Sequence, residues 1–160
     1  MRASKRTLVG ALCSILFFTL LPTTSASAAC YRPTRAEKSF VRKMNKAREA
    51  AGKAPLRMDK EVSKVSKVHT KEMANEDSLF HTSTTVLSKR VTNWVLLGEN
   101  VGVGGSVSSL HQAFMDSPAH KANILLGSFK YVGVGVIRSG DRMWVTVTFE
   151  AKSDPGSPLC

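Results

Sequence analysis

The feature that most restricts the fold is an alternation close to the C-terminus. In residues 131–137, Val132, Val134 and Val136 fall on one face of an extended strand, and Gly133 and Gly135 fall on the other. Arg138-Ser139-Gly140-Asp141 reads as a turn, and beyond it Val145, Val147 and Phe149 alternate with Trp144, Thr146 and Thr148. The pattern predicts a β-hairpin with two unlike faces. One is branched and apolar; the other lacks side chains on its first strand, so something can pack very close there.

Upstream of the hairpin the period becomes helical. Thr34 with Glu37 three residues later is a capping box, and Phe40, Val41, Met44 and Ala47 recur at helical spacing up to Gly52. Asp59 can cap a second helix with Val62, Val65, Val68 and Met73 on its buried stripe, fraying in the polar residues 75–78. A shorter helix is expected over residues 86–91, then an apolar stretch at 94–97, and Gly102, Gly104 and Gly105 mark a loop. Ser106 can cap a further helix carrying Val107, Leu110 and Phe114, which Pro118 stops. Helices followed by an antiparallel hairpin predict an α+β domain with helices covering the sheet. Trp94 and Trp144 are expected in the core, His69 as a packing residue, and His111 on the solvated face of its helix.

The N-terminus does not fit this pattern. Arg2, Lys5 and Arg6 precede an apolar run at residues 8–21; Pro22 ends it, and Ser25, Ala26, Ser27, Ala28 and Ala29 follow. That order is a secretory signal, and the run is short of the roughly 20 apolar residues of a membrane span. Cleavage after Ala28 or Ala29 is expected, which makes residues 1–29 the signal and residues 30–160 one domain. The protein is therefore expected outside the cytoplasm, with no transmembrane segment after the signal is removed. At 42% hydrophobic and 22% charged residues the chain has ordinary globular composition, so disorder is excluded as its main state.

The full chain carries +11, and loss of Arg2, Lys5 and Arg6 leaves +8. Such a charge favours anionic cell-envelope polymers or lipid headgroups as loose partners and fits retention at a cell wall. Lys and Arg are scattered rather than massed, and aromatics are only 7%, which argues against specific nucleic-acid binding; a monomer is expected. Of the three cysteines, Cys13 leaves with the signal, so Cys30 and Cys160 remain at the two ends of the mature chain. In an exported protein such a pair reads as a disulfide, worth about 4–5 kcal/mol for so long a loop in the chain-entropy model. A lipidated Cys30 is the competing reading, because Ala28-Ala29-Cys30 is lipobox-like; Ser27 stands where such a site wants Leu, and Cys160 would be left unpaired.

The usual enzyme signatures are missing: there is no Gly-x-Ser-x-Gly, no His-Glu-x-x-His, no Cys-x-x-Cys and no phosphate-binding glycine loop. Three polar segments stand out instead: Leu79-Phe80-His81-Thr82-Ser83, Gly98-Glu99-Asn100-Val101-Gly102 and residues 114–125 around His120. Convergence of His81, His120 and Glu99 would make an open divalent-metal site, with zinc the ion that neutral imidazole suits. The alternative is that Glu99 and Asn100 only fix a turn, and that His81 and His120 fill or cap the cleft.

These residues carry a family resemblance. Asn45-x-x-Arg48, then His81, Gly98-Glu99-Asn100, Ser117-Pro118-x-His120-x-x-Asn123-Ile124-Leu125 and Gly133-Val134-Gly135 occur in an order that resembles the CAP superfamily. That group comprises cysteine-rich secretory proteins, antigen 5 and pathogenesis-related protein 1, and its shared unit is also called the SCP domain. The form of the His120 motif and the scarcity of cysteines resemble its bacterial branch. The resemblance implies an α-β-α sandwich with a central antiparallel sheet flanked by helices. It also implies a cleft tetrad of two His and two acidic residues. His81, Glu99 and His120 match three of these; the fourth position is Ser117, with Asp116 beside it. Activities in the family diverge, so the resemblance does not settle chemistry. The incomplete tetrad and the missing nucleophile favour a non-enzymatic binding module whose cleft holds a divalent metal. The alternatives are a metal-dependent hydrolase of peptide or cell-wall bonds, with Glu99 as general base, or a lipid-binding protein.

Overall fold

A computed structural model describes residues 30–152 and 155–160; the expected signal segment lies outside them. The elements run α1 (Arg35–Ala50), β1 (Arg57–Met58), α2 (Lys60–Glu76), α3 (Thr84–Arg90), β2 (Trp94–Gly104), α4 (Val107–Asp116), α5 (Pro118–Leu125), β3 (Tyr131–Ser139) and β4 (Arg142–Lys152). The expected caps form. Thr34 and Glu37 make a reciprocal capping box at α1, Asp59 accepts from the Glu61 and Val62 amides at α2, and Ser106 accepts from Ser109 at α4.

The hairpin β3–β4 joins β2 on the far side of β4, so three antiparallel strands make up most of the sheet, with β2 at one edge. The fourth strand departs from the all-antiparallel expectation: β1 is two residues long and lies parallel to β3, pairing Arg57 with Tyr131 and Met58 with Val132. Its reason is local. The chain leaving α1 must reach the start of α2, and passing the edge of β3 lets the Arg57 amide bond to the Lys130 carbonyl and the Asp59 amide to that of Val132.

The two faces of the hairpin divide the helices as its alternation requires. Val132, Val134, Val136, Val145, Val147 and Phe149 meet Phe40 and Met44 of α1, Leu110 and Phe114 of α4 and Ile124 of α5 in the main core. On the opposite face α2 lies directly on β3. A Cβ added at Gly133 would overlap the Val62–Ser63 backbone, and one at Gly135 would come within 2.5 Å of the Ser66 carbonyl oxygen. The rest of this interface is correspondingly small and polar: Ser66 Oγ donates to Thr148 Oγ1 at 2.8 Å and Thr70 Oγ1 donates to Ser66 O at 2.7 Å. Helices on both faces of the sheet give the α-β-α sandwich.

Several local expectations are corrected. Gly102 and Gly104 are not in a loop but within β2, where a Cβ would come 2.9 Å from the Phe114 ring and 3.1 Å from Leu110; the glycines are there to admit α4. Pro118 does not simply end a helix: α4 stops at Asp116 and Pro118 opens α5. Trp144 is buried as expected, but Trp94 is 42% exposed. His69 is buried and hydrogen-bonded rather than merely packed, its ring nitrogens facing Glu72 Oε2 at 3.1 Å and the Phe80 carbonyl at 2.8 Å. His111 is half-buried, edge-on to Phe40 with ring centroids 6.0 Å apart, rather than on a solvated face.

The first and last described residues are joined. Cys30 and Cys160 form a disulfide with Cα atoms 5.4 Å apart, which decides between the two readings of Cys30 in this structure. Lys152 is buried among acidic groups: its Nζ lies 3.1 Å from Glu150, 3.6 Å from Asp59 and 3.8 Å from Glu61. Burial pushes the Glu150 carboxyl up to about 7, against the lowering pull of the Lys152 ammonium.

Candidate functional site

The site is built around residues 99 and 100 in the middle of β2, and the two side chains do different work. Glu99 reaches the loop that precedes α3. Its Oε1 accepts from the Thr82 amide at 2.9 Å and lies 3.0 Å from His81 Nδ1, while Oε2 accepts from the Thr82 hydroxyl at 2.7 Å. The carboxylate is nearly buried, whereas 59% of the His81 side chain is exposed. An ionised carboxylate only accepts, so the proton of a neutral His81 ring belongs on Nδ1 and its Nε2 is left as a lone pair. This is how protein carboxylates orient ligating imidazoles.

Asn100, fully buried, points to α5. Its Nδ2 donates to the His120 carbonyl at 2.9 Å, and its Oδ1 accepts from Asn123 Nδ2 at 2.9 Å; the same Asn123 amide lies 3.3 Å from the Glu99 carbonyl. Asn100 and Asn123 thus set the first turn of α5 against β2 and fix where His120 starts. The His120 ring packs on Phe114 with centroids 4.8 Å apart. Burial lowers the His120 pKa and the charge of His81 lowers it further, so its ring stays neutral to more acidic pH than an ordinary histidine.

Asp116 and Ser117 do not join them. Asp116 is exposed and accepts from Gln112 Nε2 at 2.8 Å along α4, and Ser117 occupies the junction between α4 and α5 without a side-chain capping bond. Among the described residues, no group of three or more His, Cys, Asp or Glu is arranged to hold a metal ion. The expected third ligand, Glu99, has both oxygens engaged. That leaves His81 Nε2 and the His120 ring as the imidazole nitrogens with no hydrogen bond in the site, too few protein donors for a closed metal centre.

Two supports of this site use residues that the sequence reading named without their roles. Arg48, fully buried in α1, donates to the carbonyls of Ala54, Ile124, Leu126 and Phe129, at 2.7, 2.7, 3.0 and 3.3 Å, and so holds the end of α5. Its motif partner Asn45 exchanges two hydrogen bonds with the Leu56 backbone. On the other side, His69 holds the Phe80 carbonyl just before His81, and Glu72 links it to Arg90 of α3 at 2.8 Å. The one signal for this second support was the His69-x-x-Glu72 spacing on α2.

Comparison with known proteins agrees with this architecture. The curated relative Uncharacterized protein YkwD of Bacillus subtilis (strain 168) is 29% identical over 111 residues, covering 65% of this chain and 43% of that protein. The chain therefore spans less than half the length of that relative. The fold is similar to an extracellular protein containing a SCP domain from Bacillus anthracis (TM-score 0.65, 23% identity, 73% of this chain and 40% of that one). It is also similar to NaASP2, whose structure was determined with Zn2+ (TM-score 0.59, 12% identity, 82% of this chain and 88% of that one). No described helix is long and apolar enough to cross a membrane. A model of the Cysteine-rich secretory protein family matches residues 41–149, from α1 to the end of the hairpin core, and the chain belongs to this CAP family.

Proposed function

We propose that this chain is a non-enzymatic, extracytoplasmic binding module that meets its ligand through His81 and His120, with Glu99 as the brace that aims His81. The observation that carries the reading is the state of Glu99. Both of its oxygens are occupied by Thr82 and His81, so the cleft offers outward nitrogen but no uncommitted carboxylate to serve as general base. Asp116, held by Gln112 on α4, does not supply one. A divalent cation such as zinc, when bound, would add a Lewis-acidic position between protein and ligand; the chain's part is to keep His81 Nε2 bare and outward and the His120 ring neutral. The zinc in the NaASP2 structure supports asking for that ion. The +8 of the mature domain would hold it loosely against anionic cell-envelope polymers or lipids, which raises its local concentration at the surface without a specific contact.

The test against catalysis uses residues 30–160 with zinc supplied, casein and cell-wall fragments as substrates, and the His81→Ala/His120→Ala and Glu99→Gln variants. The reading predicts no release of product above the double variant. Turnover by the wild-type domain that disappears in both variants would establish the metal-dependent hydrolase instead.

A further inference from the structure

The edge of the sheet beside the imidazole pair is left unfilled at one end. Strand β2 is the last in the order β1-β3-β4-β2. Its C-terminal half is covered, since Asn123 of α5 donates to the Glu99 carbonyl and α4 packs on Gly102. Residues 94–97 have no partner strand on their outer side among the described residues, and they carry the largest run of exposed apolar side chains: Trp94 at 42%, Val95 at 68% and Leu96 at 39%. The pairing with β4 breaks register between Trp94 and Leu96, which throws Val95 outward.

This edge is one wall of a groove. The other wall is α3, with Thr84, Thr85 and Ser88 facing Trp94, Leu96 and Leu97 across a cavity of about 410 Å³. Two contacts give the direction of α3. At its start, Thr82 is bonded to Glu99; near its end, the Ser88 carbonyl accepts from the Trp94 indole at 3.2 Å. The helix therefore runs antiparallel beside β2. A chain lying in the groove from Trp94 towards Leu97 would arrive at Glu99 and His81.

We propose that this groove takes an extended peptide of a partner protein as an added strand on β2, with apolar side chains against Trp94, Leu96 and Leu97 and acidic residues among them. The inference goes beyond the cleft reading: it adds a second binding surface beside His81, one that works whether or not the histidines are present. A helix facing an edge strand is the geometry of strand addition, in which backbone groups supply affinity and alternate side chains enter the groove. The concavity suits a single chain better than a flat bilayer. A second copy paired edge to edge would bring together two domains of +8 each, with Lys89 at the end of α3 adding to the repulsion; the same charge favours an acidic peptide.

The experiment is selection of a random dodecapeptide display library on residues 30–160, followed by affinity measurement of the selected peptides. Selected sequences should share alternating apolar residues and net negative charge. Val95→Pro and Leu96→Glu, both at exposed positions and checked for unchanged melting, should each weaken binding at least tenfold. Binding to the groove should be kept within about threefold in His81→Ala/His120→Ala. Peptides that bind equally to the groove variants but lose binding in the histidine variant would overturn the groove and leave the cleft reading standing. Failure to select peptides also overturns it. Trp94-dependent binding to phosphatidylglycerol vesicles, or a concentration-dependent dimer that Val95→Pro dissolves, would replace the peptide with a membrane or a second copy.

Discussion

If Glu99 is a brace, removing it should cost stability through Thr82 more than through His81. Thr82 is buried, and its amide and hydroxyl both depend on the Glu99 carboxylate, at 2.9 and 2.7 Å. In Glu99→Ala the amide loses its acceptor in a place with little water, which costs about 1–3 kcal/mol; the hydroxyl, free to rotate to another acceptor, and the exposed His81 ring add little. A loss of about 2–3 kcal/mol is expected. Glu99→Gln keeps a carbonyl oxygen for the Thr82 amide and His81, and its NH2 can donate to a Thr82 hydroxyl that turns to accept. Its cost should be about 1 kcal/mol or less. Urea unfolding followed by Trp fluorescence resolves the two. With a slope of about 1–3 kcal/mol per molar, the Ala variant should lose about 1–2 M in midpoint and the Gln variant about 0.5 M. Equal midpoints for the two variants, or a Gln variant as unstable as Ala, would refute the bracing role.

The same geometry makes other outcomes measurable. Gly133→Ala forces a methyl into the Val62–Ser63 backbone, so α2 must lift from β3; a loss of at least 2 kcal/mol in thermal or urea unfolding is expected. Glu150 has a folded pKa raised to about 7 from 4.5, so its contribution to stability is full below pH 4.5 and is lost as pH rises through about 7. Glu150→Gln should therefore flatten the profile, matching wild type near pH 4.5 and gaining up to about 3 kcal/mol by pH 8, checked by melting across that range. Cys160→Ser opens a loop of 130 residues and should cost about 2–5 kcal/mol, read in non-reducing unfolding.

What the sequence made legible were features whose cause is local. The capping box at Thr34 and the caps at Asp59 and Ser106 are written in adjacent residues, and the split faces of the hairpin follow from strict alternation. What stayed hidden were features caused at a distance. Gly102 and Gly104 look like loop residues until Phe114 and Leu110 are laid over them, and two residues of β1 carry no period to detect. Pro118 both follows one helix and begins another, and only the second role has consequences for His120. In the site, the motif residues were visible, but the division of labour was not. The spacing of His81, Glu99 and His120 is equally compatible with three ligands and with two ligands and a brace; Thr82, with no motif of its own, takes up the carboxylate.

The most direct test of that division is a calorimetric titration of Zn2+ into residues 30–160, run on wild type, His81→Ala/His120→Ala and Glu99→Gln. The account predicts saturable one-site binding that vanishes in the double histidine variant and is kept within about tenfold in Glu99→Gln, as expected for loss of an orienting group. Binding that survives without the histidines, or that disappears in a folded Glu99→Gln protein, would contradict it.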